Sequence, residues 1–470
     1  MKKNRKRILE NIEILDFAAE GKCIVKDEGE VVFVEGSNVC PGDEVKLIIS
    51  KAKKRFSEGR VLKINKYSED RITPFCSHFG VCGGCKWQHI PYEKQLEQKQ
   101  KQVFDQLTRI GKVNLDNLSP ILGSAKTQYY RNKLEFTFSN SRWFTEEEIQ
   151  NRSEDDSRNA LGFHIPKRFD KVLPITHCYL QPEPSNEIRD FFKEYAVNNG
   201  LSYYDHIEHK GFLRTLMIRT TTKNDTMVVV QFAENNLEEI SKVFDAFLVK
   251  FPNIASLSYI INQKKNDSYF DLEPVCYSGL PYIVEEMEGL KFRIGVKSFY
   301  QTNPEQAYEL YKITREYADI QAEDLVYDLY TGTGTIANFV AKQAKKVVGI
   351  EYIEEAIIDA KINSEINGIE NTSFFAGDMG KILNDEFVAQ NGKPDVVIVD
   401  PPRAGMDKSV CQVLLNAAPR TIVYVSCNPA TQARDLEILS EKYQVTLVKP
   451  VDMFPHTFHV ENVVKLVLKS

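Results

Sequence analysis

Residues 325–340 read LVYDLYTGTGTIANFV. An apolar, strand-like stretch ending at Leu329 runs into Gly332-Thr-Gly334 and then into a helical stretch, with Ala337 in the third glycine place of a G-x-G-x-x-A pattern. Glycines at such a corner let the chain turn sharply and bring backbone N–H groups close to a ligand. A strand-to-helix turn that holds no ligand has the same spacing, and the flanking sequence separates the two. From Asn303 onward apolar strands alternate regularly with helical stretches: LVYDLY, VVGIEY, PDVVIVD and TIVYVSC are each followed by a helical segment, TSFFAGD is a further strand, and two strand-like runs close the chain. That alternation predicts a parallel sheet covered on both faces.

Acidic residues stand at the ends of the next two strands. Glu351, 19 residues beyond Gly332, suits ribose hydroxyls, and Asp378 suits an adenine amine. A solvated carboxylate at a strand end is the plainer reading of each. A dinucleotide dehydrogenase and an S-adenosylmethionine methyltransferase both satisfy this much. The fourth strand ends in Asp400-Pro401-Pro402-Arg403-Ala404-Gly405, a carboxylate delivered into a rigid corner at the edge where doubly wound sheets bind ligands. Amino-methyltransferases carry an aromatic residue after a similar Pro-Pro; here Arg403 holds that place, which disfavours amino methylation. The fifth strand ends in Ser426-Cys427-Asn428-Pro429, placing a thiol beside the same edge. A helix N-terminus just beyond it is expected to lower the thiol pKa, in favour of a nucleophile over a structural cysteine.

DPPRAG, SCNPATQARD and the late FPHTFHVE (454–461) together resemble the RNA uracil-C5 methyltransferases. The resemblance implies a fold of α/β class: a Rossmann-like class I methyltransferase domain over residues 291–470, an N-terminal OB-like β-barrel of TRAM type over 1–68, and an α+β central region over 69–290. It also implies S-adenosylmethionine as methyl donor and uridine C5 in structured RNA, 23S rRNA first, as acceptor. Uracil C5 is a weak nucleophile until a thiolate adds to C6, and the C5 proton must later leave to a base. By resemblance Cys427 is the nucleophile, Glu461 the base, and Asp400 the group that orients base and donor; Gln301, Tyr330, Gly332, Gly334, Glu351, Asp378 and Asp400 match donor-contact positions. Phe299 fits stacking on a flipped base or an ordinary core position. Two other readings stay open: a tRNA uridine-C5 methyltransferase, and a noncatalytic RNA-binding or assembly factor with a methyltransferase-like fold.

Cys76-x5-Cys82-x2-Cys85 is the densest thiol cluster, and Gly80, Gly83 and Gly84 let its loop wrap a metal. His78, His89 and the distant Cys178 are candidates for a fourth ligand, and zinc is one occupant of such a set. The spacing resembles the iron-sulfur cysteines of the rRNA uracil methyltransferases, which implies a [4Fe-4S] cluster on Cys76, Cys82, Cys85 and Cys178. The four remaining cysteines, Cys23, Cys40, Cys276 and Cys411, read as structural.

Across 470 residues the net charge is −6, which argues against uniform binding to a polyanion. The first 66 residues carry 15 Lys/Arg against 11 Asp/Glu, a net of +4. Turn signals from Gly21 to Gly59 suit five short strands closing into a barrel, whose cations Lys2, Lys3, Arg5, Lys6, Arg7, Lys51, Lys53, Lys54, Arg55 and Arg60 suit RNA phosphates. Arg131 and Lys133 are expected nearer the active site. The acidic TEEEIQNRSEDDSRN reads as a solvated loop. With no signal-peptide core and no apolar run of about 18 residues, a soluble, cytoplasmic protein is expected, with no membrane contact and no obligate protein partner evident.

Overall fold

The computed structural model describes residues 7–36, 38–53, 55–116, 118–151, 153 and 157–470. Lys2, Lys3, Arg5, Lys6 and Lys54 lie outside the described residues.

The C-terminal sheet has seven strands: Leu325–Leu329, Lys346–Glu351, Thr372–Ala376, Val396–Val399, Thr421–Ser426, Tyr443–Val451 and Glu461–Leu468. Numbered along the chain, their order in the sheet is 3-2-1-4-5-7-6. The first five are mutually parallel, and the seventh enters antiparallel between the fifth and sixth. Both faces are buried, which explains why these strands read as apolar runs rather than alternating ones. On one face Val326, Val347, Ile398 and Val423 pack against the helix Pro304–Ala318 through Ala307 and Leu310. On the other, Tyr327, Val348, Val397 and Tyr424 pack against the helices Lys408–Ala417 and Pro429–Leu439.

Two segments expected in the central region belong to this core instead. The helix Tyr92–Arg109 joins the second face through Val103 and Leu107. Its buried stripe is Gln95, Lys99, Val103 and Leu107, so two polar residues occupy the positions facing the sheet, while the apolar Ile110 is exposed. Leu118 and Leu122 then bridge to Val448 and Val451 of the sixth strand. The hairpin Tyr282–Met287 and Leu290–Gly295 also packs here, with Arg293 N–H donating to Asn363 Oδ1 at 2.8 Å. The expected division at 290/291 therefore falls inside this hairpin.

The central sheet runs, by first residue of each strand, 275-256-226-213-133-160-168. Leu213–Thr220 and Thr226–Phe232 are buried on both faces. Leu216, Ile218, Val228 and Val230 meet the helices Ser185–Asn198 and Leu237–Lys250, while Met217, Met227 and Val229 meet the C-terminal core. The acidic segment expected to be a loop instead contains a short helix, Glu146–Asn151, where Thr145 and Glu148 exchange backbone and side-chain hydrogen bonds in a capping box.

The N-terminal sheet holds six strands rather than five, beginning at Ile8 and including the two-residue strand Asp16–Phe17. Val25, Val34, Val45 and Leu47 form its core. It seats on the rest of the chain through Phe17 against Trp87, ring centres 4.8 Å apart, and through Gly21 against Phe458. No helix among the described residues is long and apolar enough to cross a membrane.

Candidate active site

The glycine corner folds as its sequence suggests. Tyr330, Gly332 and Gly334 all take positive φ, and a Cβ on Gly334 would stand 2.9 Å from Ala360 Cβ, so only glycine fits there. Asp328, fully buried, accepts from Ala337 N–H at 2.9 Å and from the Thr331 hydroxyl, tying the loop to the helix it opens. Its other oxygen, Oδ1, has no partner among the described residues, and burial holds its carboxyl up to about 7.

Glu351 accepts from Gly332 N–H at 3.1 Å through Oε2 and from Tyr352 and Ile353 N–H through Oε1. Its carboxylate is thus oriented by backbone and keeps lone pairs for a further donor. Asp378 caps the turn after the third strand, accepting from Gly380 N–H at 3.0 Å, and its charge is felt by Tyr330. Gln301 hydrogen-bonds the buried Tyr311, which also feels Asp400 and Asp328. All the expected donor-contact residues therefore surround the carboxyl edge of the sheet. Phe299 is 69% exposed beside the buried Tyr300, which rules out the core reading for it.

Asp400, Cys427 and Glu461 converge on the same edge. Asp400 and Cys427 follow adjacent parallel strands, and Glu461 opens the antiparallel strand whose next residue, Asn462, pairs with Ser426. Burial and the neighbouring Asp400 hold Glu461 up to about 8, and burial holds Asp400 up to about 7. The lowered thiol pKa expected for Cys427 is not what the structure gives: burial, Glu461 and Asp400 push it up to about 11. Cys427 lies one residue before the Asn428 cap, and two acidic neighbours in a desolvated corner outweigh the helix end and the exposed Arg403.

The residues that hold this constellation were not singled out in the sequence. Asn428 Nδ2 and Thr431 Oγ1 donate to the Arg403 carbonyl at 3.0 and 3.2 Å, and Arg434 Nη2 donates to the carbonyls of Ala404 and Met406. Asp435 Oδ2 accepts from Met406 N–H and the Tyr424 hydroxyl, and it would collide with any Cβ on Gly405. So DPPRAG and SCNPATQARD form one hydrogen-bonded corner. Gln432 and Asn462 exchange bonds, Nε2 to O at 3.2 Å and Nδ2 to Oε1 at 2.7 Å, fixing the strand that begins at Glu461.

The approach to Glu461 is held by a buried ion pair. Lys99 Nζ stands 2.6 Å from Asp452 Oδ1 and also donates to the Phe454 carbonyl, while the Tyr92 hydroxyl donates to Asp452 Oδ2 at 2.8 Å. Lys99→Met leaves Asp452 buried without its cation and is expected to destabilise the fold by about 3–5 kcal/mol, read as a lower denaturation midpoint. The sequence signal is the four-residue spacing of Gln95, Lys99, Val103 and Leu107, which puts polar groups on an apolar stripe.

All four expected metal-binding cysteines, Cys76, Cys82, Cys85 and Cys178, are free thiols lining one cavity of about 460 Å³. Burial, with the other thiols adding to it, pushes Cys82 up to about 11 and Cys85 up to about 12. His78 lines the same cavity but its Nε2 accepts from Thr176 N–H, whereas His89 turns away to the Val39 carbonyl. Arg131 and Lys133, expected near RNA, also line it; Arg131 lies over the Phe454 ring and Lys133 pairs with Glu135 at 2.5 Å.

Residues 282–469 match the tRNA (Uracil-5-)-methyltransferase family, and residues 9–62 match the TRAM domain. A Bacteroides thetaiotaomicron protein described as an RNA methyltransferase is 55% identical over 455 residues, 96% of this chain and all of that one. A Porphyromonas gingivalis protein of the same description is 55% identical over 463 residues, covering 97% of this chain and 99% of its own. The crystal structure of Pyrococcus abyssi tRNA (uracil-54, C5)-methyltransferase with S-adenosyl-L-homocysteine is similar with a TM-score of 0.73 at 28% identity, over 97% of this chain and 99% of that one. The sheet order with its antiparallel seventh strand, and the glycine corner at its carboxyl edge, are those of a class I methyltransferase. More narrowly, the chain belongs to the RNA uracil-C5 methyltransferase family and carries a TRAM domain.

Proposed function

We propose that the protein transfers the methyl group of S-adenosylmethionine to C5 of a uridine in 23S rRNA through a covalent Cys427 adduct. The convergence of Cys427, Asp400 and Glu461 at the open edge of the sheet carries this reading. The donor, as co-substrate, supplies an electrophilic methyl group and a positive sulfonium charge. The Tyr330–Gly334 corner, Glu351, Asp378 and Gln301 hold it beside Asp400. Its charge lowers the pKa of the nearby thiol, so the Cys427 thiolate forms when the site is loaded. The thiolate bonds to C6, and the electron pair released to C5 forms the new carbon–methyl bond as S-adenosylhomocysteine departs. Glu461, as carboxylate, takes the C5 proton, and the C6–sulfur bond breaks to restore the C5=C6 double bond and the thiolate. The target base must leave its stack to reach Cys427, and the exposed Phe299 is suited to hold it there.

The Cys76, Cys82, Cys85 and Cys178 thiols fit a [4Fe-4S] cluster better than zinc. A tetrahedral zinc with sulfur at about 2.3 Å draws its ligands to about 3.8 Å apart. Among the described residues no such thiol group converges within 4.8 Å, whereas the cavity has room for a multi-atom centre. Bound there, the cluster staples the loop 76–85 to Cys178. Cys82→Ser is expected to abolish the broad visible absorbance of anaerobically purified protein; a colourless, zinc-loaded wild type would contradict the assignment.

A tRNA acceptor is the second reading, favoured by the likeness to the Pyrococcus abyssi enzyme. Mapping 5-methyluridine in rRNA and tRNA of a deletion strain tests both, since loss of one modified 23S position supports the first and loss only in tRNA supports the second. Retention of every 5-methyluridine would overturn both. A cytoplasmic location follows from either acceptor.

A further inference from the structure

Away from the active site and the cysteine cavity, the central unit brings His164, His206 and Asp267 together, with one potential ligand atom from each lying within 4.8 Å of the others. His164 lies on the strand Ala160–Ile165, His206 in the turn after Tyr203, and Asp267 in the loop following the strand Ser256–Ile261, so three distant segments meet here. The imidazoles are 5.1 Å apart, edge to face.

The hydrogen bonding around the group is that of a ligand set. His206 spends Nε2 on the Phe138 carbonyl at 3.3 Å, and His164 has a backbone hydrogen bond with Lys171 while its Nδ1 is buried with no partner. One ring nitrogen of each histidine fixed by a backbone carbonyl, with the other left as a lone pair, is the usual outer arrangement of metal-bound imidazole. Burial favours the neutral form of both rings. Arg214 contacts Asp267 only through Oδ1, at 2.9 and 3.3 Å, and spends its remaining donors on the carbonyls of Asn262, Lys264 and Asn266. Asp267 Oδ2 takes no hydrogen bond from Arg214.

We propose that His164, His206 and Asp267 bind one divalent cation of zinc type, with water in the fourth position, pinning the loop 262–271 to the strand Ala160–Ile165. Two imidazoles and a carboxylate suit zinc over magnesium or calcium. Zinc at about 2.0–2.2 Å from each ligand draws tetrahedral ligand atoms to about 3.4 Å apart, closer than the 4.8 Å within which these lie. The exposed Asp267 side chain can rotate to allow this.

The test is titration of the full-length protein, its cysteine centre intact, with Co2+ alone, followed by competition with Zn2+. One equivalent is expected to bind with weak visible ligand-field bands and without a thiolate-to-cobalt charge-transfer band, and to be displaced by zinc. His206→Gln and Asp267→Asn should each weaken binding by at least about tenfold, leaving methyl transfer unchanged. Asp267→Asn, at an exposed position, keeps the test decisive if His206→Gln fails to fold. Absence of binding, binding with only a thiolate band, or equal affinity in Asp267→Asn would overturn the proposal.

Discussion

Cys427→Ala is expected to lower single-turnover methyl transfer to uridine C5 by about 10³-fold or more while RNA and donor still bind. Without the thiolate, uracil C5 has no enolate character to attack a methyl sulfonium, and removing a covalent nucleophile commonly costs factors of this size or greater. The alanine leaves the hydrogen-bonded corner between Arg403, Asn428 and Arg434 intact, because those bonds run through backbone carbonyls and through side chains other than Cys427. A substantial residual rate, measured with labelled donor on unmodified transcript, would show that the chemistry does not pass through Cys427.

Glu461→Gln separates methyl transfer from release. The first two bonds can still form, but no carboxylate takes the C5 proton, so methylated RNA should accumulate as a covalent complex while turnover falls by about 10²–10⁴-fold. Sodium dodecyl sulfate gels of labelled RNA read this directly; a variant that turns over normally removes Glu461 from the base role. The pH dependence has a definite sign. Glu461 takes its proton only after methyl transfer, and burial and Asp400 hold it up to about 8, so breakdown of the covalent adduct should speed up from pH 6 to 8 in the wild type and lose that rise in Glu461→Gln. Stability moves the other way. Folding raises Glu461 from 4.5 to about 8, so the folded chain holds a proton that the unfolded chain releases, and stability falls as pH rises across that window. Glu461→Gln should remove Glu461's share of this slope, leaving that of the likewise raised Asp400 and Asp328, and be relatively more stable at pH 8.

Much of the fold was legible because the C-terminal strands are buried on both faces and so read as apolar runs between helices. Asp400 and Cys427 were legible for a different reason, each following an apolar strand and leading into a proline corner, whereas Glu461 came only with the family resemblance. The buried polar face of the helix Tyr92–Arg109 was not legible, since Gln95 and Lys99 face the core to satisfy His456, Asp452 and the Phe454 carbonyl, partners more than 350 residues away. The thiol pKa of Cys427 was misjudged for the same kind of reason. A helix end is local and readable, whereas the burial that outweighs it, and the two carboxylates that add to it, come from the folded corner. Asp435 and Asn462 escaped notice because the Met406 N–H, the Tyr424 hydroxyl and the Gln432 amide are brought to them only by the folded corner.

The most direct test of the central claim uses RNA carrying 5-fluorouridine at the modified position. Fluorine at C5 cannot leave as a proton, so Glu461 has nothing to remove and the sequence halts after methyl transfer. Mass spectrometry of nuclease- and protease-digested wild-type complex should find methylated fluorouridine bonded to the peptide containing Cys427. An adduct on another residue, or methylated fluorouridine released with no bond to protein, would contradict the account.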